Sequence, residues 1–291
     1  MKLAFVILQY INYQDTINCI KSIQSQTTQH LIDIVVVDNQ SPNNALALLE
    51  EQNRTEQNRT EQNRTEQNIH YVQSASNQSF ARGNNVGYRY ALDKCGADFV
   101  ICLNSDVVLT DTEFCNKLVT EHNTKQYHLA GPDIITPTGW HQNPLSCDFA
   151  NLNKAWIQTK QRQAWLGALL RVTGVLEIAK HLKQKLGIDK RYRKSLTNIT
   201  LQGSCIIYSP LWTATESDAF YPHTNFFFEE YILSTICHKK GYTTRYLPHM
   251  QVAHMAHSST KQAFNSLARQ FKFRYVNYRY SLGVMLAMEE M

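Results

Sequence analysis

The feature that most narrows the fold is a set of continuous apolar runs alternating with helical patterns through the first hundred residues. Leu3–Leu8, Ile32–Val37 and Phe99–Leu103 are almost wholly apolar. A strand with one wet face alternates apolar and polar residues, whereas a strand covered on both faces does not. Between these runs lie Asp15–Gln26, with Ile17, Ile20 and Ile23 at helical spacing, and Phe80–Leu92, which contains Arg82-Gly83-Asn84-Asn85. Leu46, Leu48 and Leu49 lead a further helix, and Ile69–Val72 is a short strand. Buried strands alternating with helices predict an α/β fold with a mostly parallel central sheet and flanking helices. Ligands bind such sheets beyond the carboxyl ends of the strands. Asp38 and Asp106 each follow a predicted strand, so both are expected to face one crevice.

The second half is less regular. Trp165–Leu186 reads as one helical stretch followed by Lys190, Arg191, Arg193 and Lys194. Its apolar positions and basic flank fit an interfacial helix or, equally, a core helix with a basic tail. Ile199–Tyr208 contains a strand after Gln202-Gly203-Ser204, Phe226–Lys239 a helix opened by three aromatics, and Tyr246–Met255 another strand. No linker divides the chain. One domain over 1–260 is expected, with a basic amphipathic helical tail over 261–291.

With 291 residues, 43% of them hydrophobic, the chain can bury a sizeable core. The N-terminal apolar run is too short for a membrane span and lacks a small-residue cleavage site, so it reads as a strand. Seven cysteines in no CxxC pairing fit buried free thiols in a reducing cytoplasm rather than a disulfide or zinc scaffold. A net charge of +5 says little until it is located. Basic residues gather at 180–194 and 269–279, where they suit nucleic acid or an anionic membrane surface or, equally, form solvated helix faces. No recognised nucleic-acid motif accompanies them, and no nucleic-acid partner is expected.

Residues 51–68 read EQNRTEQNRTEQNRTEQN. The period matches neither helix nor strand, so the tract is a solvated protrusion or a polar helix extension. Glu-Gln-Asn-Arg-Thr can be encoded GAA-CAG-AAC-AGA-ACA, which is the word GAACA written three times. A five-nucleotide word shifts the reading frame whenever a copy is gained or lost, which suits a switch by strand slippage.

Several side-chain groups can carry chemistry. Asn104-Ser105-Asp106 at a strand end suits a hard cation bridging a diphosphate. Asp38 can accept hydrogen bonds from a base or ribose. Glu229-Glu230 follows Phe226-Phe227-Phe228, and aromatic neighbours raise a carboxyl pKa toward that of a general base. Among His249, His254 and His257, one histidine helping to hold a catalytic cation is more plausible than a structural zinc.

In order along the chain, Tyr10–Thr16, Val35–Ser41, Asn77–Gly87, Asn104–Asp106, Gly131–Ile134, Gly203–Cys205, Phe228–Glu230 and His254–Ser259 resemble family-2 glycosyltransferases of the GT-A fold, in their rhamnosyltransferase-like branch. The resemblance implies an inverting transferase using a nucleotide-sugar donor, Mg²⁺ or Mn²⁺, and a glycan or lipid-linked acceptor in bacterial surface polysaccharide synthesis. It assigns Tyr10, Asp38, Arg82, Asn85, Asn104, Ser105 and Asp106 to the donor, and Asp106 and His254 to the metal. The base lies in Glu229-Glu230, with either residue open. Glu230 stands where relatives carry Asp, Ile232 where a further acid is usual, and Asn104 where many have an acid. A catalytically inactive partner of the same fold is the alternative. The expected location is cytoplasmic, with peripheral contact at the inner membrane face.

Overall fold

A computed structural model describes residues 1–57, 68–145, 148–255 and 266–290. Residues 58–67 of the repeat, Cys147 and His257 lie outside the described residues. The strands are β1 (Lys2–Gln9), β2 (Leu31–Asp38), β3 (Asn68–Gln73), β4 (Phe99–Asn104), β5 (Val107–Leu109), β6 (Leu129–Ile135), β7 (Leu196–Thr197), β8 (Cys205–Tyr208) and β9 (Thr244–His254). The helices are α1 (Tyr13–Gln24), α2 (Ala45–Gln57), α3 (Ser79–Asp93), α4 (Phe114–Thr124), α5 (Lys154–Arg162), α6 (Ala164–Val172), α7 (Val175–Lys185), α8 (Pro210–Thr213), α9 (Glu229–Lys240) and α10 (Leu267–Glu290).

Among the described residues the strands form one sheet in the order β3-β2-β1-β4-β8-β6-β9-β5, with β7 on β9. The first four are mutually parallel. β8 runs antiparallel between β4 and β6, and β9 is parallel to β6. β5 and β7 oppose β9. Strands β1–β4, β6 and β9 therefore share one direction, and the mixed pairing is confined to the second half.

The period of two explains why the first strands are apolar throughout. Leu3, Phe5 and Ile7 pack on one face with Ile17, Ile20 and Ile23 of α1, while Ala4 and Val6 pack on the other with Ala81, Tyr88 and Ala91 of α3. The α3 helix approaches closely because Gly87 has no side chain. A Cβ there would lie 2.4 Å from Val6 Cγ1 and 2.7 Å from Val37 Cγ2.

The predicted elements of the first half form with ends shifted by a residue or two. Two elements of the second half differ. The stretch 165–186 breaks into α6 and α7 at Gly174, whose φ of 75° leaves the right-handed helical region. The helix expected from Phe226 starts at Glu229, because Phe227 and Phe228 have φ of 67° and 64°. Residues 51–57 of the repeat extend α2, so this part is a polar helix extension. Helix α10 packs through Leu282, Met285 and Met288 against Ile157 of α5 and Ile232 of α9. No described helix is long and apolar enough to cross a membrane.

Candidate active site

The strand register sets the first side of the site. Gln9 pairs with Asp38 and Leu8 with Asn104, so the ends of β2 and β4 flank the end of β1. At ordinary strand spacing, Asp38 and Asn104 are about 10 Å apart across β1. Asp38 is buried, and its carboxylate accepts from Gln73 Nε2 (2.8 Å), the Ser41 backbone N–H (3.2 Å) and the Ser41 hydroxyl. The Ser41 oxygen also accepts from Ile11 N–H at 2.9 Å, which ties the loop after Tyr10 to the Asp38 turn. Ile11 has φ of 66° and Gln40 61°. A β-branched residue in the left-handed region costs about 1–3 kcal/mol, so this rim is held by its hydrogen bonds.

Asn39 receives the Gln78 N–H on Oδ1 and donates to Ser79 O and Asn77 Oδ1, which anchors the start of α3. Arg82 is exposed there, donating to Gln78 O and Asn225 Oδ1. Asn85 is buried one turn further along α3. Its buried amide donates to Phe220 O at 2.7 Å and accepts from Phe220 N–H at 2.8 Å, so in this structure it anchors a loop.

Ser105 and Asp106 form the turn between β4 and β5. Asp106 is buried, with Oδ1 3.2 Å from His254 Nε2 at the end of β9. His254 Nδ1 lies 2.6 Å from Gln142 Oε1, an oxygen that can only accept, so Nδ1 carries a proton. In a neutral ring the Nε2 lone pair then faces the Asp106 carboxylate. Two electron-pair donors at that distance require a proton or a cation between them, and they are ligand types that a divalent metal accepts. The donor set therefore fits the implied cation. His249 is elsewhere, exposed and paired with Glu121 at 3.1 Å.

Glu229 and Glu230 open α9 from a tight turn. Ser281 of α10 donates to Phe226 O at 3.1 Å, and Phe227 and Phe228 both meet the Tyr278 ring edge-on at 5.1 Å. This packing holds two consecutive left-handed residues. Glu229 is buried, its Oε1 has no hydrogen-bond partner among the described residues, and burial beside Glu230 pushes its pKa up to about 8. Glu230 is half-buried. Burial raises its pKa, opposed by its own N–H, by the Gly203 N–H and by the charges of Arg171 and Lys180. Gly203 N–H reaches Glu230 Oε1 at 3.2 Å, and the next residue's carbonyl, Ser204 O, accepts from Asn104 N–H at 2.9 Å. The Gly203-Ser204 link thus joins the Asp106 turn to Glu230.

Residues outside the sequence reading complete the site. Gln142 orients His254, and Asn143 ties Pro132 O to Gln202 N–H beside Gly203. Arg171 joins α6 to Glu177 of α7 at 2.5 Å and also hydrogen-bonds Tyr278. Gln142 and Asn143 have no local sequence signal, because His254 and Gln202 are 112 and 59 residues away. Ile232 is fully buried against α10, so packing occupies that position.

The described trio Asp33, His70 and Cys95 also gathers ligand-type atoms within 4.8 Å. It lies toward the opposite end of β2 from Asp38. There Lys2 Nζ sits 3.0 Å from Asp33 Oδ2 and His70 Nε2 2.8 Å from Oδ1, so ion pairing accounts for the cluster. The six described cysteines are free and buried.

Comparison with known proteins identifies the family and the fold. The chain is 28% identical over 137 residues to the low-salt glycan biosynthesis hexosyltransferase Agl10 of Haloferax volcanii, a match taking in 47% of this chain. The chain spans only 38% of that relative's length. Among solved structures, TarS 1–349 of S. aureus superimposes with a TM-score of 0.55 at 12% identity, over 100% of this chain and 71% of that one. The same protein in complex with UDP-GlcNAc gives 0.52 at 14% identity, over 100% and 72%. GalNAc-T7 with UDP, GalNAc and Mn²⁺ gives 0.57 at 12% identity, over 96% and 50%. At these identities the likeness is one of fold, the GT-A fold. Residues 5–166, more than half of the chain, match Glycosyl transferase family 2, and the protein belongs to that family.

Proposed function

We propose that the protein is an inverting glycosyltransferase moving a sugar from a nucleoside-diphosphate donor to a glycan or lipid-linked acceptor. The observation that carries this reading is the short backbone link from the Asp106 turn through Ser204 and Gly203 to Glu230. It holds a cation-type carboxylate and a base-type carboxylate along one rim.

Asp38 and the Tyr10 loop receive the nucleoside, and Asn104, Ser105 and Arg82 lie along the donor's path. Asp106 and His254 would hold Mg²⁺ or Mn²⁺, which when bound supplies positive charge to a leaving diphosphate. Glu230 is the base. Burial raises both carboxyls, but Glu230 is held down by the Gly203 N–H and by the charges of Arg171 and Lys180, so the buried Glu229, whose Oε1 has no partner among the described residues, keeps the proton. Glu230, open to the rim and facing Arg171 and Lys180, takes the acceptor's hydroxyl proton as that oxygen attacks the anomeric carbon. Attack opposite the leaving group inverts the configuration. Because burial raises Glu230, activity increases with pH as the pair loses its first proton.

The product we infer is bacterial surface polysaccharide, lipopolysaccharide or capsule, made at the cytoplasmic side of the membrane. The EQNRT tract supports a phase-variable gene. No assigned site residue lies within 51–68, so copy number can change without touching the site. A uniform GAACA tract in the gene is expected; scattered synonymous codons would end that part of the proposal.

The test is nucleotide release by purified protein with Mg²⁺ or Mn²⁺ and nucleotide-linked rhamnose, galactose and glucose. Release that increases with acceptor supports transfer. Donor binding without turnover under every condition would favour the inactive partner instead.

A further inference from the structure

Helix α7 is turned the wrong way round for a soluble protein. A surface helix normally buries its apolar stripe and wets its polar face. None of the residues of α7 is buried. At 3.6 residues per turn, Val175, Ile178, Leu182 and Leu186 form a stripe roughly 80° wide, with Lys183 and Lys185 on its two borders. That stripe faces solvent: Val175 is 48% exposed, Ile178 60%, Leu182 50% and Leu186 72%, and Ile188 just beyond is 70% exposed. The inward attachments are polar. Gln184 exchanges two hydrogen bonds with the His141 backbone, at 3.0 and 2.7 Å, and Glu177 pairs with Arg171.

Charge identifies what covers the stripe. Residues 154–194 hold eleven Lys and Arg against two acids, a net +9, while the rest of the chain holds 18 against 22, a net −4. Both acids, Glu177 and Asp189, are already paired with arginines. A second copy of this region would meet its own positive charge. Next to α6, Arg162 and Arg279 line a cleft of about 330 Å³ with Trp165 and Tyr275, a set suited to phosphate-bearing headgroups below an aromatic belt.

We infer that α7 lies in the headgroup region of an anionic bilayer, with Ile178, Leu182 and Leu186 among the acyl chains and Lys183 and Lys185 at phosphate level. The surface rests on the membrane location proposed above but not on transfer chemistry, and its test needs no substrate. The full-length protein is co-sedimented with phosphatidylcholine vesicles, with and without phosphatidylglycerol. Wild type should partition to the anionic vesicles at least about tenfold better, and added salt should weaken this. Ile178→Ser/Leu182→Ser/Leu186→Ser should lose roughly 100-fold in partitioning while the protein stays folded in a thermal melt, since these side chains are 50–72% exposed. Lys183→Glu/Lys185→Glu should lose about tenfold. Equal binding to neutral vesicles, or variants that bind like wild type, would overturn the inference. So would a concentration-dependent dimer in light scattering that the triple variant dissolves, since it would make a second copy the occupant.

Discussion

The two acidic stations of the site are built by opposite means. Asp38 and Asp106 stand at the ends of parallel strands, where local sequence and strand register suffice to bring them to one rim. Glu229 and Glu230 stand after two left-handed phenylalanines that their own sequence does not favour. Their position depends on Tyr278 and Ser281, which lie some 50 residues away on α10. The contrast teaches that this candidate site joins a locally encoded strand-end rim to a glutamate pair whose position is imposed by tertiary packing.

Substitutions at each station break or sharpen that contrast. The largest expected effect is at the strand end: Asp106→Ala should reduce transfer by about 10³-fold or more with the fold intact. Initial rates and a thermal melt decide this, and a folded variant with full activity would remove the metal role. At the packed station, Glu230→Gln should cost about 10²–10³-fold in kcat, and Glu229→Gln less than about tenfold. If the two losses are equal, the pair acts as one group and the division of roles fails.

A smaller effect tests the link between stations. In Gly203→Ala the new Cβ would lie 2.8 Å from Glu230 Oε1 and displace the carboxylate. A loss of roughly 10–100-fold in kcat is expected with the donor KM unchanged. A KM change alone would assign Gly203 to donor binding.

Met285→Ala, in the core between α9 and α10, should cost about 2–4 kcal/mol in denaturant unfolding and lower kcat by less than about tenfold. Unaltered kcat would mean that α10 does not set the Phe227-Phe228 turn. The last effect is a pH dependence. The folded protein raises Glu229 from 4.5 to about 8. Its contribution is fully present below the unfolded value and is lost as pH rises toward the folded one. Glu229→Gln should therefore match wild type near the lower pH and exceed it above the upper, by up to about 5 kcal/mol. A difference independent of pH would mean that Glu229 does not carry the buried proton.

Much of the strand-end rim was legible in the sequence. Asp38 and Asp106 follow apolar runs that become β2 and β4, and Gly87 permits the close packing of α3 on β1 and β2. Asn85, grouped with the donor by its motif, exchanges two hydrogen bonds with the Phe220 backbone, 135 residues away, a contact with no local pattern. Gln142 was invisible because its partner His254 is 112 residues away, and such a contact leaves no local pattern. The break at Gly174 and the late start of α9 were also missed, since periodicity does not reveal a left-handed residue.

The sequence by itself determined the parallel half of the sheet, the order of the elements and the strand ends that carry Asp38 and Asp106. Those depend on apolar periodicity and near-neighbour pairing. Tertiary structure alone decided which glutamate is buried and which meets the rim, and it turned the apolar stripe of α7 outward. Both depend on what distant segments cover, and burial is a property of the packed chain rather than of any stretch of it.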